Sequence, residues 1–521
     1  MKAYDPIELE IFKNLFVSVA EEMGAVLGRT ALSPNIKERK DYSCAVFNER
    51  GETLAQGSHI PVHLGAMPMS VQAALAALPF EDGDLVLVND PYHGGTHLPD
   101  ITCIAPVFYG GRPAFFIANR AHHSDVGGMT PGSMPLATEI YQEGLIIPPL
   151  KLVRRGRLNE DVLRLLLANV RTPEERRGDL LAQMAACEKG KSRMAEAVDK
   201  YGLAKIVRYT RFIQDYTAAF LEATLRAIPD GTYRFSDVLD NDGISADPIR
   251  IRAAVTIRGA KAVVDFRGSS PQVRGGVNAN AAVTASAVLY VFRSLIEEDI
   301  PFNTGLLRPL TIIAPPGLVV SAQFPAATAA GNVETSQRIV DVLLGALAKA
   351  IPGRIPAASQ GTMNNIAFGG FDPARGRPFA YYETIGGGMG ASRDLPGLSG
   401  VHSHMTNSLN TPLEALENYL PLRIRRYGLR TGSGGQGRRR GGEGIIREYE
   451  FFVPARVTIM SERRAFAPYG QAGGGPGAPG RNLLIRRGKK KLLGSKANLQ
   501  VEPGDILRIE TPGGGGYGRK R

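Results

Sequence analysis

The sequence predicts a mixed α/β (α+β) chain of several domains, and three observations lead there. Its 521 residues exceed what a single hydrophobic core organises. Apolar residues change period along the chain, from the three- and four-residue steps of helices to the alternation of strands and back. Glycine and proline, 61 and 35 residues, punctuate the strand-like runs, most densely toward the C-terminus. With 43% hydrophobic and 21% charged residues the composition is that of a globular protein. No uninterrupted apolar run reaches the ~18 residues of a membrane span, and MKAYDPIELE lacks the apolar core of a signal peptide. A cytoplasmic protein with no membrane partner is the expectation.

Residues 1–156 read as an N-terminal α/β unit. Asp5-Pro6-Ile7-Glu8 supplies an N-cap, a first-turn proline and a first-turn carboxylate, and Phe12, Leu15, Phe16, Val19, Met23 and Leu27 then mark one buried helix face. Strand-like runs follow in YSCAVFN, GETLAQ and DLVLVND. Residues 157–230 read as a helical middle segment. Thr172-Pro173-Glu174-Glu175 has the form of a capping box, and the stripe Ile206, Tyr209, Ile213, Tyr216, Phe220 stops before Pro229-Asp230-Gly231. Residues 231–429 mix strand signals such as VVDFRG with helices, clearest at Ile339–Ala350. Residues 430–521 read as a strand-rich C-terminal region ending in a loop and a mobile tail, TPGGGGYGRKR. Cys44, Cys103 and Cys187 are far apart without CxxC spacing, which suits reduced core residues.

Chemistry concentrates between residues 89 and 125. Four of the eight histidines, His93, His97, His122 and His123, lie in NDPYHGGTHLPD and AHHSD with three carboxylates, and His59 and His63 lie just upstream. Imidazole nitrogen and carboxylate oxygen are the donors that zinc, manganese and iron take. The intervening DITCIAPVFYGGRPAFFIANRA reads as two strands joined by a tight Gly110-Gly111 turn. With Tyr109 facing Arg112, regular pairing places Asp100 opposite Ala121 and beside His122, and His97 lies one short turn earlier. His97, Asp100 and His122 thus converge as an open metal site. His123 and Asp125, at or beyond the other side of the strand end, suit supporting or proton-transfer roles.

Other patterns carry less. Gly432-Ser433-Gly434-Gly435-Gln436-Gly437 matches a dinucleotide fingerprint but precedes arginines and glycines rather than a helix. Gly386–Gly390 suits close approach by substrate or backbone. Lys189-Gly190-Lys191-Ser192 lacks the upstream glycine of a phosphate loop, so no ATP site is expected in this chain. His402 and His404 alternate as on one strand face, or form a structural pair. Gly331–Gln337 lines a pocket or caps the following helix. The net charge of +12 suggests a solvated surface or an acidic partner subunit; without an RNA-binding aromatic motif, no nucleic-acid partner is expected.

The motifs SPNIKERKDYSCAVF, SHIPVHLGAMP, NDPYHGGTHLPDI, RAHHSDVGGMTPGSMP, AAGNVETSQRI, VHSHMTNSLNTP, RTGSGGQGRRRGGEG and TPGGGGYG, in this order over nearly the whole chain, resemble the hydantoinase B/oxoprolinase family. The resemblance implies a subunit of a hetero-oligomer, paired with a hydantoinase A-type ATPase that binds ATP and phosphorylates a small cyclic amide. It implies a divalent metal, zinc, manganese or iron, held by a His-x-x-Asp and a later histidine, which are His97, Asp100 and His122 here. Asp41, in KERKDYSCA, matches an acidic position that implies a further ligand. The activity implied is ATP-dependent ring opening of hydantoin, 5-oxoproline or lactam, with proton transfer by His123 or Asp125. The alternatives are a subunit of an ATP-dependent ketone carboxylase and a non-catalytic structural subunit.

Overall fold

A computed structural model of the chain describes residues 4–57 and 59–520. The N-terminal unit begins with α1 (Pro6–Thr30) and the short α2 (Pro34–Lys37). Asp5 caps α1 as its sequence predicts, its carboxylate accepting from the Ile7 N–H. There follow β1 (Tyr42–Asn48), β2 (Thr53–Gln56), α3 (Ala66–Ala77), β3 (Leu85–Val88), β4 (Asp100–Tyr109), β5 (Arg112–His122), β6 (Leu150–Arg154) and β7 (Arg157–Leu158). These strands form one antiparallel sheet in the order β2-β1-β5-β4-β3-β6-β7. Both faces are covered, so β1 and β3 are buried throughout and read as apolar runs instead of alternating.

Helices α4 (Glu160–Ala168), α5 (Pro173–Tyr201) and α6 (Leu203–Arg226) complete the helical segment. Phe12, Phe16 and Met23 of α1, Ala186 and Met194 of α5 and Ile117 of β5 share one core. α3 covers the opposite sheet face through Met67, Val71 and Ala74. Thr172 makes no side-chain cap; its hydroxyl instead accepts from the Arg176 guanidinium. α6 joins two cores, with Ile206 and Ile213 in the first and Leu221 and Leu225 in the second.

The second core lies under β8 (Gly231–Leu239), β9 (Ile249–Arg258) and β10 (Lys261–Asp265), with α7 (Ala281–Ser294), β11 (Leu310–Ile313) and α8 (Ser336–Ala350). The sheet order is β11-β10-β9-β8. A single π-helical turn, Gly331–Thr335, leads into α8, a local widening common where a helix serves a site.

The rest is mainly β-structure: β12 (Asn365–Asp372), β13 (Arg377–Glu383), α9 (Leu413–Tyr419), β14 (Leu422–Arg430), β15 (Gly444–Phe451), β16 (Ala455–Met460), β17 (Arg481–Arg486), β18 (Lys489–Leu493), β19 (Lys496–Val501) and β20 (Ile506–Glu510). Two sheets, β13-β12-β16-β19 and β14-β15-β20-β17-β18, share a core that includes Phe368, Tyr381, Tyr449, Phe451 and Leu507. Strands β12 to β14 thus enter this β-region from ahead of residue 430. Beside it, the glycine-rich segments around Gly388, Gly435, Gly475 and Gly514 run backbone against backbone. Gly514 N–H donates to the Gly442 carbonyl and its own carbonyl accepts from Gly435, each at 2.9 Å. A Cβ on Gly514 would lie 2.0 Å from the Met389 carbonyl oxygen. The expected loop and mobile tail is therefore corrected for Thr511 to Tyr517, whereas Arg519 and Lys520 are exposed and Arg521 lies outside the described residues. Thr511 to Tyr517 are buried, because the absence of side chains lets this backbone fill the interior.

Both nucleotide-like patterns resolve structurally. Lys189–Ser192 lies inside α5, and Gly432–Gly437 feeds the glycine-rich packing without starting a helix. Among the described residues no helix is long and apolar enough to cross a membrane.

Candidate metal centre

The hairpin β4–β5 builds the centre. Gly110 and Gly111 take φ of 59° and 76°, the left-handed pair that a two-residue turn needs. Tyr109 faces Arg112 as expected, but the register does not continue regularly. Phe108 pairs with Pro113 and Val107 with Phe115, which leaves Ala114 as an extra residue in a β-bulge. Proline has no N–H to give to the ladder, so a bulge beside Pro113 is a natural interruption. Beyond it Asp100 lies directly opposite His122, one position from the regular register that placed it opposite Ala121.

His97 Nε2 lies 3.2 Å from His122 Nδ1 and 3.2 Å from Asp100 Oδ1, and the last two are 3.1 Å apart. All three side chains are buried. The other nitrogen of His97, Nδ1, lies 3.2 Å from the Ala329 carbonyl. A carbonyl only accepts, so Nδ1 carries a proton, and in the neutral ring Nε2 presents its lone pair to the Asp100 carboxylate oxygen. Two acceptors so close need a positive charge between them. A proton can sit between only two of these atoms, whereas two imidazole nitrogens and a carboxylate oxygen converging on one point are a donor set that would suit a divalent metal ion. Metal–donor bonds of about 2.1 Å put neighbouring donors roughly 3.0–3.4 Å apart in octahedral to tetrahedral arrangements, and the observed triangle fits. These residues form the group of three donors that converges closely enough to hold a metal ion among the described residues.

Surrounding residues fix the triangle. Asp100 Oδ2 accepts from the Thr96 hydroxyl and lies 3.2 Å from His63 Nε2. His63 Nδ1 is in turn 2.9 Å from the Ser43 hydroxyl. The His122 ring stacks on Tyr382 with centroids 4.4 Å apart, and Tyr382 donates to Asn365. Burial opposes charge on Asp100, yet His97, His122 and His63 hold its carboxyl well below the ordinary range. Burial also opposes charge on His97, but Asp100 brings it above its usual value; burial lowers His122 and His63. A cavity of about 20 Å³ adjoins the cluster, bordered by Asp41, His63, Asp100, His122, Tyr382 and Met405. It has room for an ion or a water molecule.

The other sequence candidates are placed as follows. Asp41 borders this cavity, its backbone carbonyl accepts from the His122 N–H, and its carboxylate lies 3.6 Å from the Arg39 guanidinium. It stands next to the three-donor group without being one of it. His123 Nε2 faces Gln183 of α5 at 2.9 Å, and burial beside Arg176 lowers its pKa to about 4. Asp125 accepts from the Gly127 and Arg171 N–H groups and pairs with the Arg171 guanidinium at 2.9 Å. His402 and His404 are half-buried and lie outside the triangle. His404 has a φ of 57°, so the two do not continue as one strand. The stretch from Gly331 both lines the cavity, through Asn332 and Val333, and leads into α8.

His63 has no linear spacing that ties it to Asp100, 37 positions away. Its contact follows from the path between β2 and α3. His63→Ala is expected to weaken metal binding about tenfold by freeing Asp100 Oδ2, read by chelator competition; unchanged affinity contradicts that role.

The sequence model of the Hydantoinase B/oxoprolinase family matches residues 5–520. An uncharacterized protein of Methanocaldococcus jannaschii is 43% identical, with 99% of this chain and 91% of that protein covered. 5-Oxoprolinase 1 of Arabidopsis thaliana is 41% identical over 99% of this chain; the chain spans 42% of that longer relative. Among solved structures, the ATP-dependent caprolactamase from Pseudomonas jessenii superposes with a TM-score of 0.93 at 31% identity, covering 99% of this chain and 92% of that one.

Proposed function

The chain belongs to the hydantoinase B/oxoprolinase family, and we propose that it is the metal-holding subunit of an ATP-dependent cyclic amidohydrolase. Its substrate is a small hydantoin, 5-oxoproline-like or lactam ring, phosphorylated on its amide oxygen by a hydantoinase A-type partner. The observation that carries this reading is the His97–Asp100–His122 triangle, with the His97 tautomer set by Ala329. The absence of a phosphate loop at Lys189–Ser192 supports assigning ATP to the partner.

His97, Asp100 and His122 would hold a divalent ion of the zinc, manganese or iron type, and Asp41, which borders the same cavity, is the proposed further ligand. Such an ion supplies Lewis acidity and makes water more acidic. Thr96 and His63 orient Asp100, and Tyr382 sets the plane of His122. The buried Ile60, Val62, Met363 and Met405 form the apolar side of the cavity and keep bulk water out. His123 or Asp125 is proposed to move the proton; their contacts to Gln183 of α5 and to Arg171 also hold the strand end behind His122.

The test is ATP turnover and product formation by the purified complex with hydantoins, 5-oxoproline, lactams and ketones. Ring opening of a cyclic amide without bicarbonate consumption is expected. Ketone-dependent ATP turnover that consumes bicarbonate overturns the hydrolase reading in favour of a carboxylase, and an active complex without metal supports a structural role for the histidines.

A further inference from the structure

Glu143 lies in the N-terminal unit, directly after the short turn Ile140–Gln142, and is buried. Its Oε1 accepts two backbone N–H groups, from Thr328 and Ala329, each at 2.8 Å. These residues precede the π-turn and belong to a different part of the chain. Ala329 also supplies the carbonyl that accepts from His97 Nδ1. A continuous path therefore runs from a buried carboxylate, through one residue of backbone, to the imidazole of a ligand.

A buried carboxylate is costly unless its charge is met by donors. Burial pushes the Glu143 carboxyl up to about 7 while the two N–H groups favour its charged form; in that form they are charge-assisted hydrogen bonds, stronger than neutral ones. They fix the peptide on the N-terminal side of Ala329, leaving its carbonyl separated from that plane only by the two backbone torsions of Ala329 itself. The Gly331 N–H, bound to the Gly276 and Thr328 carbonyls, restrains the other side. The Ala329 carbonyl is thus clamped from both directions where His97 needs it.

We propose that Glu143 is a positioning residue for His97: by clamping Thr328 and Ala329 it locks the Nδ1–H tautomer and keeps Nε2 aimed at Asp100 and His122. This rests on the metal reading of the triangle. It also gives the second core a task at the centre, because a segment next to α8 decides the tautomer of a ligand carried by the N-terminal unit. Outer hydrogen-bond partners of metal-binding histidines typically carry about ten- to a hundredfold in metal affinity.

A structural pin for this loop, with no effect on the ligand, makes a different prediction, and Asn278 separates the two. Its amide donates to the Ala327 carbonyl at 3.0 Å, holding the same segment without reaching the Ala329 peptide. The experiment compares the full-length wild type with Glu143→Ala, Glu143→Gln and Asn278→Ala. The probes are Zn²⁺ and Co²⁺ affinity by competition with a chromophoric chelator, the visible spectrum of the Co²⁺-loaded chain, and thermal melting of the metal-free chain. Glu143→Ala should weaken both ions about ten- to a hundredfold and shift the cobalt bands. Glu143→Gln keeps the shape and one acceptor oxygen and should fall between wild type and alanine, a readout that survives if the alanine variant does not fold. Asn278→Ala should lower the melting temperature and leave affinity within about twofold of wild type, since it breaks no bond to the Ala329 peptide. Wild-type affinity and spectrum in folded Glu143 variants overturn the inference while leaving the metal site standing, as does Asn278→Ala weakening binding equally. A wild-type chain that takes up neither ion overturns the metal reading itself.

Discussion

His97→Ala is expected to lower ring opening by the assembled complex at least about a thousandfold while the partner keeps part of its ATP turnover. The argument is geometric. Removing His97 takes away one of three donors that lie 3.1–3.2 Å apart and breaks the triangle, leaving Asp100 and His122 with only the more distant Asp41 beside them, a set that should hold an ion weakly. It also leaves the Ala329 carbonyl without its donor in a buried setting, which costs about 1–3 kcal/mol, so the variant should melt slightly lower but remain folded. If, as proposed, the ATP-dependent half of the reaction belongs to another subunit, ATP consumption should become uncoupled from product. Steady-state assays of phosphate and ring-opened product, run side by side, measure that uncoupling. Equal loss of both activities would mean that His97 supports the assembly of the complex and not the chemistry.

Gly514→Val carries the largest expected effect on stability. The new Cβ would lie 2.0 Å from the Met389 carbonyl oxygen and 2.7 Å from the Gly390 nitrogen. Both are backbone atoms of a neighbouring glycine-rich segment, so no side-chain rotation relieves the clash. The backbone must separate, and the bonds from Gly514 N–H to Gly442 and from Gly435 N–H to the Gly514 carbonyl go with it. Overpacking a filled interior typically costs about 1–3 kcal/mol and more where the obstacle is backbone. The expected outcome is a C-terminal β-region sensitive to proteolysis, with little folded protein at 37 °C. Gly428→Ala is the control, since nothing lies within 4 Å of its Cβ position. If Gly514→Val resists protease as well as Gly428→Ala does, the backbone-to-backbone packing is not what holds this region.

What sequence could reveal depended on whether the interaction was local. Asp5 capping α1, the helices α6 and α8 and the Gly110-Gly111 turn follow from short-range patterns that neighbouring residues satisfy. The convergence of His97, Asp100 and His122 was legible because one hairpin carries it. Its register was legible only in part: an extra residue at Ala114 shifts every pair beyond it, and a bulge has only a faint signature, here Pro113. His63 and Tyr382 were not legible as site residues. They reach the cluster from β-strands and turns distant in sequence, where a histidine or tyrosine looks like an ordinary core residue. The Ala329 carbonyl is less visible still, because every residue has one. The glycine-rich C-terminus showed its density but not its purpose; flexible loops and tightly packed bare backbone have the same composition.

The most direct test is the metal content of the purified chain, measured by mass spectrometry after gel filtration and compared with Asp100→Asn. Asp100 is the informative position because its Oδ1 completes the triangle and its Oδ2 is held separately by Thr96 and His63. Near-stoichiometric zinc, manganese or iron in the wild type, lost from a folded Asp100→Asn variant together with ring opening, is the predicted result. An active wild-type complex without divalent metal, or an Asp100→Asn variant that keeps its metal and its turnover, would contradict it.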